Sequence, residues 1–248
     1  MRGITLLREQ VESFDRYPFA IPAIQQFRTL ELHPRVTFFV GENGSGKSTL
    51  VEAIAVAAGF NAEGGSKNFH FHTRRSESEL HRALRLVRGV RRQKDGFFLR
   101  AESLFNVATN IEELEQESNV GPVSGYGGHS LHEQSHGESF MALALNRFFG
   151  DGLYILDEPE AALSPSRQLA LLKVIDLQVR RRRSQFVIAT HSPILMAYPD
   201  ALIYELSERG IASVAYEETE HFQVTREFLA DRERYFHYLF ADGEPDEW

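Results

Sequence analysis

The sequence predicts an α/β fold with a mostly parallel sheet flanked by helices. Three observations carry that prediction. Apolar runs at Val36–Val40, Leu153–Leu156 and Gln185–Thr190 are continuous rather than alternating, the pattern of strands buried on both faces. Helix-length segments separate them, as βαβ crossovers require. A glycine-rich turn, Gly41-Glu42-Asn43-Gly44-Ser45-Gly46-Lys47-Ser48-Thr49, joins the first run to a helix. It has the G-x-x-x-x-G-K-[ST] form of a phosphate-binding loop.

Along the chain, Ile4–Leu7 and Leu30–Leu32 read as short strands on either side of the proline-containing segment Tyr17–Pro22. After the loop, Thr49–Ala58 reads as a helix stopped by Gly59, and Asn61–Ser66 as a turn-rich loop. Leu80, Leu84 and Val87 recur at helical spacing opposite arginines, so Ser76–Val90 is predicted helical. Gly96–Arg100 reads as a strand, Ile111–Glu117 as a short acidic helix, and residues 119–130 as a long loop. Helices follow at Glu138–Phe149 and at Pro165–Arg182, the latter with proline near its start. Strands are expected at Leu202–Leu206 and Val214–Tyr216, and an aromatic-rich helix at Thr225–Phe240. The middle third breaks the strand–helix alternation. The predicted division is therefore a core lobe of residues 1–65 and 138–248 and an inserted helical lobe of residues 66–137.

Composition bounds the function. With 248 residues the chain can bury a sizeable core. It has no cysteine, which excludes disulfides and thiolate chemistry and fits a cytoplasmic protein. Early acidic residues Glu9, Glu12 and Asp15 argue against a signal peptide, and no apolar stretch is long enough to span a bilayer, so direct membrane insertion is not expected. The net charge of −8 argues against a uniformly basic nucleic-acid binder. Basic residues are nevertheless clustered, at Arg82, Arg85, Arg88, Arg91, Arg92 and Lys94 and again at Arg180–Arg183. A solvated helix face and a helix C-terminus explain them; a phosphate-backbone surface is the alternative.

The site residues follow from chemistry. Glycines at 41, 44 and 46 let the backbone of Glu42, Asn43 and Ser45 curl its N–H groups onto one anion, at a helix N-terminus of favourable dipole. Lys47 can reach the β- and γ-phosphates of ATP, the Ser48 hydroxyl can ligate Mg²⁺, and Thr49 completes the motif. Asp157 and Glu158 follow a buried-type strand: Asp157 to hold Mg²⁺ through water, Glu158 to activate water in line with the γ-phosphate. His191, after a neighbouring strand, can donate to the γ-phosphate or the attacking water. Ser135 and Gly137 open a helix as a second anion site. Glu102, just past a strand, is a candidate metal-side residue, with Gln93 behind it. The histidines at 70, 72, 81, 129, 132 and 136 read as lobe surface more than as a metal element.

Taken in order, these motifs resemble the ABC-type ATPase superfamily. Gly41–Thr49 matches its Walker A motif, Ser135-His136-Gly137-Glu138 its signature, and Leu153–Glu158 its Walker B. Glu160–Ser164 matches its D-loop and His191 its H-loop. Asp157-Glu158-Pro159-Glu160 with Ala189-Thr190-His191-Ser192-Pro193 looks like the RecF-, SMC- and OLD-like branch, and especially like small stand-alone predicted ATPases of bacteria. The resemblance implies an ATP-dependent homodimer in which Ser135 and Gly137 contact nucleotide in trans. It implies ATP and Mg²⁺ as cofactors, with Glu158, His191 and Lys47 as catalytic residues. The chain departs from the pattern at His136, where a glycine is usual, at Ser164, where transporters commonly have aspartate, and in lacking a clear Q-loop glutamine. Too little sequence separates Lys47 from Asp157 for coiled-coil arms, and no nuclease domain fits after residue 206. The expected function is an ATP-hydrolysing, dimerising switch acting on DNA or an effector protein, in DNA maintenance or phage defence. The alternatives are a nucleotide-binding subunit of a membrane transporter and a nucleotide-gated scaffold with little turnover.

Overall fold

The continuous apolar runs form the middle of a six-stranded sheet of order β5-β6-β7-β3-β8-β9. Its strands are β3 (Val36–Gly41), β5 (Asp95–Arg100), β6 (Gly152–Asp157), β7 (Gln185–Ala189), β8 (Leu202–Ser207) and β9 (Gly210–Val214). All neighbours are parallel except β8 and β9, an antiparallel edge pair. A second sheet is antiparallel, with β1 (Gly3–Leu6) between β2 (Thr29–Glu31) and β4 (Leu84–Val87). The computed structural model describes residues 1–67, 78–90, 93–109 and 134–240.

The two-residue period of the strands divides the core. Phe38, Val40, Phe97, Leu99, Tyr154, Leu156, Phe186 and Ile188 pack on one face with Phe140, Leu143, Leu171 and Ile175. Their alternates Phe39, Phe98, Leu153, Ile155, Val187 and Ala189 pack on the other with Leu50, Ile54, Ile4 and Leu30. Burying each large apolar side chain is worth about 1.5–3 kcal/mol, so this division fixes strand register firmly.

The first face is covered by α4 (His136–Arg147) and α5 (Pro165–Arg182). The second is covered by α2 (Lys47–Ala57), which lies between the sheets with seven of its residues buried: Lys47, Leu50, Val51, Glu52, Ala53, Ile54 and Ala55. Three shorter helical pieces are α1 (Pro22–Gln26), α3 (104–109) and α6 (Pro193–Met196). The chain's last described helices, α7 (Glu220–Ala230) and α8 (Arg232–Leu239), have no buried residue and meet through Phe228, Tyr235 and Phe236.

Two expectations are corrected. Ser76–Val90 is not one helix: in its described part a 3-10 turn, Glu79–Ala83, runs into β4. The apolar spacing of Leu80, Leu84 and Val87 fits a helix, but pairing of Leu84–Val87 with the free edge of β1 wins. Gly96–Arg100, expected within the inserted lobe, is instead the edge strand of the main sheet, paired with β6 from Asp95↔Gly152 to Arg100↔Asp157. The expected acidic helix at 111–117 and loop at 119–130 lie outside the described residues. Arg180–Arg182 close α5 and Arg183 is its left-handed cap, so that basic run does terminate a helix.

Candidate functional site

Parallel pairing gathers the predicted residues by bringing strand C-termini to one edge. Asp157 on β6 is level with Ala189 on β7, Phe39 on β3 is also level with Ala189, and Arg100 on β5 is level with Asp157. The loop leaving β3, the acidic pair leaving β6 and His191 leaving β7 therefore emerge side by side. This is the crevice where open parallel sheets bind ligands.

The loop has the geometry its glycines foretell. Gly41, Gly44 and Gly46 have φ of 138°, 80° and 98°, which L side chains rarely adopt. A Cβ at Gly46 would lie 2.8 Å from Cγ2 of Ile21, and one at Gly41 would collide with the Leu206 carbonyl. Lys47 is 3% exposed and donates from Nζ to the carbonyls of Gly41 (2.9 Å) and Glu42 (2.7 Å). Burial holds its ammonium below the usual lysine range; Glu158, Asp157, Glu160 and Glu42 oppose that shift. A cavity of about 660 Å³ opens beside Gly41–Ser45 and is also lined by Glu205, Glu208, Glu218 and Glu220. That acidic wall disfavours phosphate, so the groups here that could seat an anion are the loop's own N–H groups and the N-terminus of α2.

Asp157 is 4% exposed, and desolvation pushes its carboxyl up to about 6 despite the opposing pull of Arg100 and a hydrogen bond from Ser48. Arg100 bridges two buried carboxylates, with Nη1 2.6 Å from Glu52 and Nε 3.3 Å from Asp157. Asp157 Oδ1 and the Ser45 hydroxyl are buried and lack a hydrogen-bond partner among the described residues. An orphan carboxylate oxygen on a residue bonded to Ser48 is the donor set a Mg²⁺ ion takes, with one or two protein oxygens completed by water and phosphate. Asp157, Glu158, Glu160 and Glu42 also outnumber Lys47 and Arg100, so a divalent cation would relieve the local charge.

Glu158 sits in the left-handed region (φ 49°), held by its N–H to Ala189, and its Oε1 lies 3.6 Å from His191 Nε2. A non-glycine residue in this conformation at a site is strained backbone of the kind active sites retain. Burial and Lys47 hold the His191 imidazole below the usual histidine range.

Sequence reasoning missed four participants. Arg100 ends a predicted strand, and nothing in its sequence neighbours assigns it a role. Glu160, read only as the start of a D-loop, accepts hydrogen bonds from the Thr190 hydroxyl (2.8 Å) and the His191 N–H, and so fixes the backbone that carries His191. Desolvation pushes its carboxyl up. His221, at the start of α7, places Nε2 3.0 Å from His191 Nδ1. Arg167 on α5 contacts the N-terminus of α4. Only Glu160 carried a sequence signal, as an acidic residue beside Asp157-Glu158.

The remaining predicted residues fall elsewhere. Glu102 is largely exposed, at 82% for its side chain, and touches only the far nitrogen of Arg100 (3.8 Å); Arg100 itself reaches Asp157. Gln93 bonds to Gln185 at the opening of β7, the end of the sheet away from His191, so it is corrected out of the site. Ser135 caps α4, where the Glu138 carboxylate accepts from its N–H (3.0 Å) and its hydroxyl (2.7 Å). Arg167 donates to both Ser135 Oγ (3.3 Å) and Glu138 (3.1 Å). A Cβ on Gly137 would press on the Ala162 carbonyl at 2.7 Å, so glycine is required by packing there. His136 is exposed beside them, and His81 Nδ1 bonds to the Ser78 carbonyl; His70, His72, His129 and His132 lie outside the described residues. Among the described residues no group of three or more His, Asp or Glu side chains is arranged to hold a metal, and no helix is long and apolar enough to cross a membrane.

Residues 18–123 match a family described as an AAA domain, and residues 129–197 match one described as "AAA domain, putative AbiEii toxin, Type IV TA system". No curated protein is matched. Similar solved structures include the SMC head domain from Thermotoga maritima (16% identity, 75% of this chain and 93% of that chain, TM-score 0.41). Another is cbiO1 from Clostridium perfringens, part of an ABC transporter complex (16% identity, 86% and 91%, TM-score 0.45). A third is a dimeric ATP-binding cassette bound to ADP and Pi (16% identity, 78% and 91%, TM-score 0.41). The two family matches run one after the other, the first containing the loop at 41–49 and the second Ser135, Asp157, Glu158 and His191; both are AAA-domain models, so along most of its length the chain is similar to P-loop ATPases of the ABC/AAA type.

Proposed function

We infer that this protein hydrolyses ATP with Mg²⁺ and uses the cycle as a dimerising switch. The observation that carries the reading is the convergence of Lys47, Asp157, Glu158 and His191 at the C-terminal edge of three adjacent parallel strands. Ser48 and Asp157 would hold Mg²⁺, which when bound neutralises phosphate charge. Lys47 leaves its carbonyl partners to meet the β- and γ-phosphates. Glu158 takes a proton from water as it attacks the γ-phosphorus in line, the bond to the β–γ bridging oxygen breaks so that ADP leaves opposite the new bond, and His191 donates to the γ-phosphate oxygen. Glu160 holds the His191 backbone in place while this happens.

Ser135 and Gly137 lie at the N-terminus of α4, braced by Arg167 and Ala162 and not by the loop at 41–49. That separation supports a site completed by a second copy, with Ser135 and Gly137 reaching the nucleotide of the partner. The stretches 1–65 and 138–248 are proposed as the core lobe and 66–137, apart from β5, as the lobe that presents the signature. The partner acted on is DNA or an effector protein, in DNA maintenance or phage defence. The toxin description of the second matched family favours an effector role, and the exposed Arg82, Arg85 and Arg88, on and beside the edge strand β4, favour DNA.

The test is Glu158→Gln with Mg²⁺-ATP. The variant is expected to bind ATP, lose turnover and run as a dimer in size-exclusion light scattering. Wild-type turnover by the variant refutes the role given to Glu158.

A further inference from the structure

His191 must present the correct ring nitrogen to a phosphate oxygen, and two neutral tautomers are open to it. The structure supplies a second imidazole where the choice is made. His221 Nε2 lies 3.0 Å from His191 Nδ1, and the pair is partly buried, with ring centroids 5.2 Å apart. One nitrogen of that contact carries the proton. The outer nitrogens, His191 Nε2 and His221 Nδ1, are both buried without a hydrogen-bond partner among the described residues.

Each end of the pair decides the direction in the same sense. If His191 Nδ1–H donated, His221 would carry its proton on Nδ1, a buried N–H with no acceptor, and His191 would turn a bare lone pair toward Glu158 Oε1 at 3.6 Å. A lone pair facing a carboxylate oxygen is repulsive, and a buried N–H without an acceptor forfeits its hydration with no return. In the reverse arrangement His221 Nε2–H donates, its Nδ1 needs no acceptor, and His191 Nε2–H points toward the carboxylate of Glu158. Burial and the charge of Lys47 hold both imidazoles below their usual range, which favours the neutral pair.

Resting on the hydrolytic reading above, we propose that His221 is a positioning residue: its Nε2–H donates to His191 Nδ1 and locks His191 as the Nε2–H tautomer, the form that donates to the γ-phosphate. The chemistry of the switch histidine is thereby tied to α7, a helix with no buried residue.

Long-range ¹H–¹⁵N correlation spectra of the full-length, ¹⁵N-histidine-labelled protein without nucleotide read the tautomer directly. His191 is expected protonated at Nε2 and bare at Nδ1 in the wild type, and mixed in His221→Leu. In His221→Gln, whose amide can still donate, it returns toward the wild-type form. Turnover in His221→Leu should fall about tenfold or more in kcat with KM for ATP within about twofold, partly restored by glutamine. A wild-type His191 protonated at Nδ1, or a His221→Leu spectrum or kcat like the wild type, overturns the proposal. A wild type with the expected tautomer but no turnover upholds the tautomer and refutes hydrolysis, so the two failures are distinguishable.

Discussion

Replacing Arg100 with methionine tests the electrostatics of the site most sharply. The substitution keeps an unbranched stem and removes a guanidinium held between Glu52 and Asp157, whose side chains are 12% and 5% exposed. Removing one partner of a buried ion pair costs about 3–5 kcal/mol when the charge left behind cannot neutralise. Asp157 can: its carboxyl already lies near 6 because it is desolvated, and Arg100 is the largest influence holding it down. A neighbouring guanidinium typically depresses a carboxyl by about 1–3 units, so the variant's Asp157 should titrate higher by that amount. Because its folded pKa is raised above the unfolded value, Asp157 contributes stability that is present at low pH and lost as pH rises through the folded pKa. Raising that pKa further leaves the variant little changed at this residue near pH 5 but weaker by a further ~1.4–3 kcal/mol near pH 8, at about 1.4 kcal/mol per unit over the two units at most between the wild-type pKa and that pH. The Glu52 contact is lost at both. Urea unfolding of both proteins at the two pH values gives the comparison. A loss equal at both pH values, or larger at the acid one, refutes the assignment of Arg100 as the cation that keeps Asp157 ionised.

Lys47→Ala removes the charge facing the loop and should weaken ATP binding at least about tenfold by calorimetry; unchanged affinity contradicts its role. Gly137→Ala puts a methyl against the Ala162 carbonyl and Arg167, and should cost about 1–3 kcal/mol of stability and impair ATP-driven dimerisation more than ATP binding by the monomer. Glu160→Ala strands the Thr190 hydroxyl and the His191 N–H, and should lower kcat with a stability loss of about 1–3 kcal/mol. A variant with full turnover would show that the His191 backbone holds itself.

Much of the site was legible because its chemistry is local. Three positive-φ glycines, a lysine and a hydroxyl must follow one another for a loop to cradle phosphate, and an acidic pair after a buried strand announces itself. Continuous apolar runs likewise disclosed β3, β6 and β7, since only strands covered on both faces read that way. What escaped was decided by distant partners. Leu84–Val87 became a strand because β1 offered an edge, against its own helical spacing. Arg100 acquired a role through register with Asp157, and His221 through the placement of α7; neither position is marked by its sequence neighbours. Glu102 lies near a strand end, but β5 stops at Arg100, and in the turn beyond it Glu102 stands exposed while Arg100 reaches Asp157.

Helix α2 has no exposed residue along its length and is wedged between two sheets. A helix so confined cannot relax on its own when its first turn gains or loses a phosphate. Occupancy of the loop should therefore be audible far from it, as slowed amide exchange in the antiparallel β1, β2 and β4 as well as in the main sheet. The small sheet, which contributes none of the catalytic side chains, would in that case report the nucleotide state to whatever binds its edge.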